Sequence, residues 1–193
     1  MFDLLLARLL EIDKKLFLII NQTNSPFWDR VVYWITHELF WIPLYIVLLY
    51  LIIKSFKKRS WLILLTIAVL ITICDQFASG LVKPYIQRLR PCFDPNLKAI
   101  VHVVGRHHGL YSFISSHAAN TFGLATFLWL LFRSHYWFLL FVWASIVSYA
   151  RIYGGVHYPG DILLGALSGV CCGWVTYTLY NHYCTKYKID KTL

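Results

Sequence analysis

Five long runs of apolar residues dominate this sequence and restrict what it can fold into. A helix needs about 20 mostly apolar residues to cross the hydrocarbon core of a bilayer. The runs cover residues 33–53, 61–82, 114–132, 136–153 and 162–181. We therefore expect an all-α, polytopic membrane bundle with five transmembrane helices.

Composition supports a membrane protein and excludes other classes. Hydrophobic residues make up 59% and charged residues 14% of the 193-residue chain, whereas soluble domains have about 45–50% and about 25%. A content of 18% aromatic residues with only 6 Pro and 10 Gly excludes a disordered or collagen-like chain. The length predicts one domain over residues 1–193. The net charge of +9 favours membrane lipids over nucleic acid as partners, and the five cysteines imply no disulfide framework.

The first 25 residues differ from the five runs. Charged residues interrupt this segment before a spanning length accumulates, yet Leu5, Leu9 and Leu16 can share one helical face. We expect an interfacial amphipathic helix over residues 1–25, with a sixth span as the alternative. The segment has no pattern typical of a removable signal peptide.

Basic residues predict the orientation in the membrane. With five spans, one side carries eight Lys and Arg residues against the single acid Asp190. These basic residues are Lys54, Lys57, Lys58, Arg59, Arg133, Lys186, Lys188 and Lys191. The positive-inside rule makes this side cytoplasmic. The loops 83–113 and 151–161 then face the periplasm or the extracellular side of a bacterial cytoplasmic membrane.

Three groups of polar residues occupy helix ends on the predicted outer side. They are Lys83 with Arg90, then Ser115, Ser116 and His117, and finally Arg151, His157 and Asp161. A single Lys or Arg at a helix end usually extends to the lipid headgroups. That explanation does not predict two histidines, a carboxylate and a serine pair at the same ends, so we expect the three groups to converge.

The chemistry of these residue types points to a phosphate site. Arginine offers a planar fork of donors and lysine a point charge, while a helix N-terminus adds backbone amides. Asp161, four residues after His157, can accept the Nδ1 proton and leave Nε2 as a nucleophile toward phosphorus. His117 is free to donate a proton to the leaving oxygen. The pattern predicts hydrolysis in two steps through a phosphohistidine.

The spacing of these residues resembles the type 2 phosphatidic acid phosphatase (PAP2) family of membrane lipid phosphatases. The matching stretches are KPYIQRLRP, SSHAANTFG and RIYGGVHYPGD, between residues 83 and 161. The resemblance implies phosphate binding by Lys83, Arg90, Arg151 and Ser115, together with acid catalysis by His117. It also implies nucleophilic attack by His157, oriented by Asp161, and no metal cofactor.

Three positions depart from the family pattern. Ile114 replaces a proline, Ser116 replaces a glycine before the histidine, and Ala150 replaces a serine before Arg151. The glycine position matters most, because its amide is expected to approach the phosphate. Ser116 still supplies an N–H, so we expect activity to persist with an altered pocket shape.

A membrane lipid phosphatase is the leading functional hypothesis. Undecaprenyl diphosphate is the first expected substrate, with a lipid A phosphate second and phosphatidylglycerophosphate third, by analogy with the family. The alternatives are a lipid phosphotransferase with the same site and a non-catalytic lipid binder or transporter. A haloperoxidase shares the anion-site pattern, but five spans disfavour it. We expect activity without metal or other cofactor, since cations already neutralise the phosphate. The oligomeric state stays open.

Two further polar groups have competing interpretations. Asp75, Ser79 and Lys83 share a helical face by their spacing, and we expect a structural polar contact there, with a carboxylate directed at the phosphate lysine as the alternative. Four residues crowd the long outer loop, namely His102, Arg106, His107 and His108. Headgroup contact or solvation is expected for them, with a zinc site as the alternative.

Overall fold

The computed structural model describes residues 2–105 and 109–189. Within these ranges the chain forms helices and no strand, which confirms the predicted all-α fold class. The helices are α1 Phe2–Asn21, α2 Pro26–Thr36, α3 Ile42–Phe56, α4 Ser60–Asp75, α5 Lys83–Ile86, α6 Ser116–Phe132, α7 Leu139–Tyr153 and α8 Pro159–Lys186.

Three helical stretches of the described chain are long and apolar enough to cross a membrane. They are Glu38–Ile86, which combines α3 to α5, His135–Tyr153 and Pro159–Lys186. Lys57, with φ of 46°, separates α3 from α4 within the first stretch. α6, predicted as the third span, has 17 residues and lies at the centre of the bundle. The number of crossings remains a prediction.

The first predicted span is wrong as a single helix. α2 ends at Thr36, His37 is extended, and a 3-10 turn over Glu38–Trp41 precedes α3. Pro43 lies in the first turn of α3, where its missing N–H needs no partner. The break turns Glu38 toward the site described below.

The second predicted span changes its winding before it ends. α4 is followed by a π-helical segment, Gln76–Val82, which leads into α5. Pro84 explains the wider turns, because its ring cannot fit beneath the carbonyl of a regular preceding turn. Lys83 follows directly after this segment.

Close packing between α6 and α8 forms the centre of the bundle. A Cβ atom added at Gly169 would lie 2.2 Å from the carbonyl oxygen of Ala119, and one at Gly173 would lie 2.5 Å from that of Gly123. Only glycine permits this approach of two helices. The backbone of α8 therefore holds the start of α6 in a fixed place.

The apolar core surrounds α6 with side chains from the neighbouring helices. Ile63 and Leu70 of α4, Phe127 of α6 and Ala144 of α7 are fully buried. At one end of this core, Arg133 donates to the Tyr177 hydroxyl at 3.1 Å. We call this end, which carries the basic residues predicted as cytoplasmic, the basic end.

The N-terminal segment forms the helix α1, as expected, with most of its leucines exposed and Phe17 buried. Leu5, Leu9 and Leu16 are exposed, whereas Phe17 is buried against Tyr158. Two charged residues of α1, Asp13 and Lys14, face the protein, and Lys14 Nζ lies 3.1 Å from a carboxylate oxygen of Asp94. The exposed leucines suit contact with lipid.

Candidate active site

The long connection between α5 and α6 is closed by pairing between its two ends. Leu89 forms an isolated antiparallel bridge with Tyr111, and the amide of Arg90 donates to the carbonyl of Leu110 at 3.1 Å. The Arg90 side chain also donates through Nε to the carbonyl of Tyr111 at 3.2 Å. This pairing fixes the direction in which the Arg90 guanidinium can point.

Lys83 stands at the end of a chain of polar contacts. Its Nζ donates to the hydroxyl of Ser79 and to that of Ser116, both at 3.3 Å. Ser79 in turn donates to Asp75 Oδ1 at 3.4 Å. The predicted contact among Asp75, Ser79 and Lys83 is therefore present, and it extends to the start of α6.

The start of α6 lies against the start of α8. The Ser115 hydroxyl accepts from the amide of Ala118 at 3.4 Å and caps α6. The Ser115 amide donates to the carbonyl of Asp161 at 3.1 Å. A Cβ atom added at Gly165 would lie 2.6 Å from the Ser115 carbonyl, so glycine allows this contact.

The turn between α7 and α8 has a shape that brings His157 inward. The amides of Val156 and His157 both donate to the carbonyl of Arg151, at 3.2 and 3.3 Å. Gly155 has φ of 79°, and a Cβ atom there would lie 2.6 Å from the His102 carbonyl. The Gly155 carbonyl accepts from Cys92 at 3.1 Å, which joins the turn to the Arg90 loop.

His157 and Asp161 form a buried pair. Nδ1 of His157 lies 3.5 Å from Oδ2 of Asp161, and the two side chains are 3% and 0% exposed. Oδ2 also accepts from the amide of Tyr158 at 2.8 Å. Asp161 was expected in the turn, but it belongs to the first turn of α8, which begins at Pro159 because proline favours a first helical position.

Burial has a clear effect on the charge state of His157. Loss of hydration lowers the pKa of this imidazole to about 4, although Asp161 acts in the opposite direction. Nearby Arg90 and Lys83 also lower it. The imidazole is therefore neutral at pH 7 before a phosphate binds, which is the form that can attack phosphorus.

The three predicted cations interact electrostatically through Arg90 and His117. Arg90 acts on both Lys83 and Arg151, while His117 is influenced by all three and by His157. The Arg90 guanidinium is partly buried, and the loss of hydration lowers its pKa. A poorly hydrated cluster of cations stabilises a bound anion more than exposed cations do.

His117 opens onto a cavity of about 540 Å³ between α3, α4, α6 and α7. Its side chain is exposed to this cavity although protein surrounds it. Other polar side chains also line the wall, among them Glu38, Asp75, Ser116, Asn120 and Thr121. A smaller cavity of about 240 Å³ shares Glu38 and His117 and reaches Arg151.

Two polar atoms at the cavity wall lack hydrogen bonds to the described part of the chain. They are Asn120 Oδ1 and Trp143 Nε1. Buried polar groups are normally paired, so an unpaired group next to a cavity favours a ligand or water there. The cavity has polar positions on an otherwise apolar wall.

Sequence reasoning missed Arg88 and Asp13. Arg88 donates to Asp161 Oδ1 at 2.9 Å and to Asp13 Oδ2 at 2.8 Å. Asp13 Oδ1 also accepts from the amide of Gly160 at 2.7 Å. Asp13 is one of several charged residues in the first 25 residues, so its position in the sequence gave no signal that distinguishes it from exposed neighbours such as Glu11.

The expectation for His102 is wrong. Its Nε2 lies 2.8 Å from Asp29 Oδ1, which also accepts from the Tyr153 hydroxyl at 2.7 Å. His102 is thus part of a structural network rather than a solvated headgroup contact. The expectations for Arg106, His107 and His108 concern positions outside the described residues.

Sequence comparison identifies the family. The PAP2 superfamily model matches residues 62–183. A lipid A 4'-phosphatase of Bacteroides thetaiotaomicron is 39% identical, over 93% of this chain and 82% of its own length. A lipid A 4'-phosphatase of Porphyromonas gingivalis is 34% identical, over 89% of this chain and 74% of its own length. The chain belongs to the PAP2 superfamily, which confirms the resemblance seen in its motifs.

Solved structures have the same fold. LpxE of Aquifex aeolicus superposes with a TM-score of 0.63 at 27% identity, covering 85% of this chain and 93% of that one. A transmembrane PAP2 type phosphatidylglycerolphosphate phosphatase of Bacillus subtilis gives a TM-score of 0.66 at 22% identity, with coverages of 96% and 90%. This protein is a multi-pass membrane lipid phosphatase of the PAP2 type.

Proposed function

We propose that this protein removes a phosphate from the sugar of a lipid A molecule. The observation that carries the proposal is the cavity beside His117, with Asp75, Asn120 and Glu38 on its wall. A sugar leaving group offers hydroxyl and amide donors to such side chains, whereas the leaving group of undecaprenyl diphosphate is an anionic isoprenyl phosphate, which offers no such donor. Two relatives named lipid A 4'-phosphatase support the same substrate. Lipid A thus replaces undecaprenyl diphosphate as the first expected substrate.

We assign the first chemical step to His157 and His117. Nε2 of neutral His157 forms a bond to phosphorus while the bond from phosphorus to the leaving oxygen breaks. His117 donates the proton that this oxygen needs. The imidazole of His157 becomes a cation, which the carboxylate of Asp161 stabilises from the Nδ1 side.

The second step releases the phosphate. Water attacks the phosphohistidine, His117 takes a proton from that water, and Nε2 of His157 is the leaving atom. Lys83, Arg90 and Arg151 hold the phosphate oxygens in both steps, with Ser115 and Ser116 at the start of α6. Discharge onto another lipid instead of water would make the protein a phosphotransferase.

We propose a bacterial cytoplasmic membrane as the location, with the site facing the periplasm. The basic end and the site lie at opposite ends of α4 and α8. From Asp161 to Tyr180, which accepts from Arg59 at 3.0 Å, a helix rises by about 29 Å. This distance is close to the thickness of the hydrocarbon core. The positive-inside rule then places the site outside.

We also propose that the reaction needs no divalent metal. Lys83, Arg90 and Arg151 supply the positive charge that magnesium supplies in other phosphoryl transfers. Purified protein should therefore retain its full rate of phosphate release in excess EDTA. A loss of activity that added Mg²⁺ restores would contradict this part of the proposal.

A panel of phosphorylated lipids tests the substrate. Purified protein in detergent is assayed for phosphate release from lipid A, undecaprenyl diphosphate and phosphatidylglycerophosphate. We expect the highest kcat/KM for lipid A and loss of the 4'-phosphate in the product. A higher kcat/KM for undecaprenyl diphosphate would overturn the proposal that lipid A is the substrate. With a radiolabelled phosphate on the substrate, appearance of the label in a second lipid would indicate phosphotransfer.

Undecaprenyl diphosphate remains the second candidate. An undecaprenyl-diphosphatase of Sulfolobus acidocaldarius is 30% identical over 72% of this chain and 62% of its own length. The matched region includes less of both proteins than the matches to the lipid A 4'-phosphatases. Exchange of Asn120 for Leu distinguishes the two candidates, because it should lower kcat/KM for lipid A more than for the isoprenyl substrate.

A further inference from the structure

We propose that Arg88 and Asp13 are positioning residues that orient the Asp161 carboxylate and set the charge around it. This inference rests on the proposed phosphohistidine chemistry at His157, but it does not depend on which lipid is hydrolysed. It assigns a role in the reaction to the N-terminal helix α1, which carries none of the family motifs.

Arg88 fixes one oxygen of Asp161 and leaves the other for His157. The guanidinium donates to Oδ1 at 2.9 Å, while Oδ2 accepts from the Tyr158 amide at 2.8 Å and faces His157 Nδ1 at 3.5 Å. With both oxygens held, the carboxylate cannot rotate away from the imidazole. Orientation of this kind matters, because a displacement of about 1 Å can lower a rate about 100-fold.

Arg88 is itself held on three sides. Its second nitrogen donates to Asp13 at 2.8 Å, and the guanidinium carbon lies 3.8 Å from the ring centre of Tyr158. The side chains of Arg88 and Asp13 are 14% and 13% exposed. A planar guanidinium can bridge two carboxylates in this way, whereas an ammonium group acts as a single point.

The charges of the three residues match what the reaction needs. Two carboxylates and one guanidinium leave one net negative charge beside His157. That charge balances the imidazolium, which becomes positive when Nε2 bonds to phosphorus. Without Asp13 the cluster is neutral, and without Arg88 it holds two buried negative charges, so either change alters the stability of the imidazolium.

The two changes should shift the pH dependence in opposite directions. Removal of an anion in Asp13→Asn destabilises protonated His157 and moves the acidic limb of kcat/KM to lower pH. Removal of a cation in Arg88→Gln stabilises protonated His157 and moves this limb to higher pH. Other charged or titratable groups facing His157 stay in place in both variants, namely Asp161 of α8, Lys83 of α5, Arg90 of the loop and His117 of α6.

α1 offers two matched controls. Glu11→Gln makes the same acid-to-amide change on an exposed residue, which pairs only with Lys15 among the described contacts at 2.7 Å. Lys14→Gln removes the 3.1 Å pair with Asp94 and so weakens docking of the same helix without touching Asp161. If Asp13 acted only by docking α1, Lys14→Gln and Asp13→Asn would have the same effect.

The experiment measures kcat, KM and the pH dependence of kcat/KM on lipid A and on undecaprenyl diphosphate. We expect Arg88→Gln to lower kcat about 100-fold and Asp13→Asn about 10-fold, with KM changed less than about 3-fold. The acidic limbs should move apart by at least about 0.5 pH unit in the directions given. Glu11→Gln should behave like the wild type.

Arg88→Lys is a second variant for the case in which Arg88→Gln does not fold. It keeps the positive charge but cannot bridge both carboxylates, so we expect an intermediate kcat with little shift of the acidic limb. Each variant is checked by its elution from a sizing column in detergent. If Arg88→Gln is aggregated, Asp13→Asn and Arg88→Lys still decide the question.

The outcomes separate this inference from the proposed function. A wild-type protein that hydrolyses undecaprenyl diphosphate but not lipid A overturns the proposed substrate only, and one that hydrolyses no lipid of the panel, phosphatidylglycerophosphate included, overturns both. An active wild type in which Asp13→Asn matches Glu11→Gln, or in which both acidic limbs move the same way, overturns only the positioning role. Asp13→Asn that equals Lys14→Gln in kcat and in pH dependence assigns Asp13 to helix docking alone.

Discussion

Arginines and lysines gather at both ends of this helical bundle, but they do so in different ways. At the site end Arg90 acts on Lys83 and Arg151, and all three cations act on His117. At the basic end Lys57 and Lys58 are exposed, and Arg133 donates to a tyrosine hydroxyl at the surface. The same residue types thus build an anion site at one end and a solvated surface at the other.

Convergence and burial, rather than the number of charges, therefore create the site. Each cation at the site end follows a structure that limits its direction, such as the π-helical segment before Lys83 or the paired loop ends around Arg90. The basic end has exposed lysines that can move independently. Exposed charges are screened by water and salt, so their individual effects are small.

The largest expected effect is the loss of activity when His157 is replaced, compared with replacement of Arg133 at the basic end. His157→Ala removes the proposed nucleophile and should lower kcat by at least about 10⁴-fold, on the scale seen when a catalytic nucleophile is removed. Arg133→Ala at the basic end should leave the rate within about 2-fold. Steady-state phosphate release measures both. Equal rates for His157→Ala and the wild type would exclude His157 as the nucleophile.

The cations themselves provide the next contrast. Arg90→Ala or Arg151→Ala should lower kcat about 10²- to 10³-fold, because each removes preorganised donors from the developing charge on the phosphate. Lys58→Ala removes a cation from the basic end and should have little effect on kcat. If Lys58→Ala lowered kcat as much as Arg90→Ala, the proposed difference between the two ends of the bundle would be wrong.

Burial at the site end also predicts a pH dependence. The reaction needs neutral His157, and desolvation lowers the pKa of this group to about 4. As the pH falls, activity should therefore persist below the ordinary histidine pKa of about 6.5 and decline only near the lowered value. The pH profile of kcat/KM, which reports the free enzyme, measures this limb. An acidic limb at or above about pH 6.5 would contradict the buried, neutral state.

The smallest expected effect concerns the packing that joins the two ends. Gly169→Ala places a methyl group 2.2 Å from the Ala119 carbonyl, so α6 and α8 must separate at a cost of about 1–3 kcal/mol. Gly80→Ala meets only the flexible side chain of Gln76 and serves as the control. Thermal unfolding in detergent compares the two. Equal midpoints would show that the close approach of the helices contributes little.

The sequence was sufficient to predict the helical class and the motif residues, because both depend on local patterns. Apolar runs determine where helices form in a membrane protein. Lys83, His117 and His157 stand out as polar residues at the ends of such runs. Their positions along the chain, with the order of the helices, were enough to predict that they meet.

The contacts of α1 and of Arg88 could not be predicted from such local patterns. Lipid and protein interior are both apolar, so an amphipathic helix does not reveal which of its sides contacts the protein. Asp13 faces the protein and the leucines are exposed, as suits an interfacial helix, but the contact of Asp13 with Arg88 was not predicted. Arg88 lies between Lys83 and Arg90 in the first motif, and only the folded loop shows that it contacts Asp161.

Detection of a phosphoryl group on His157 is the direct test of the proposed phosphohistidine. Purified protein is mixed with excess lipid A, quenched in alkali within the first turnover, and digested for mass spectrometry. We predict phosphate on the peptide containing His157, with none on that peptide in His157→Ala. A normal burst of phosphate release without any phosphorylated histidine, or with the phosphoryl group on a different residue, would exclude His157 as the nucleophile.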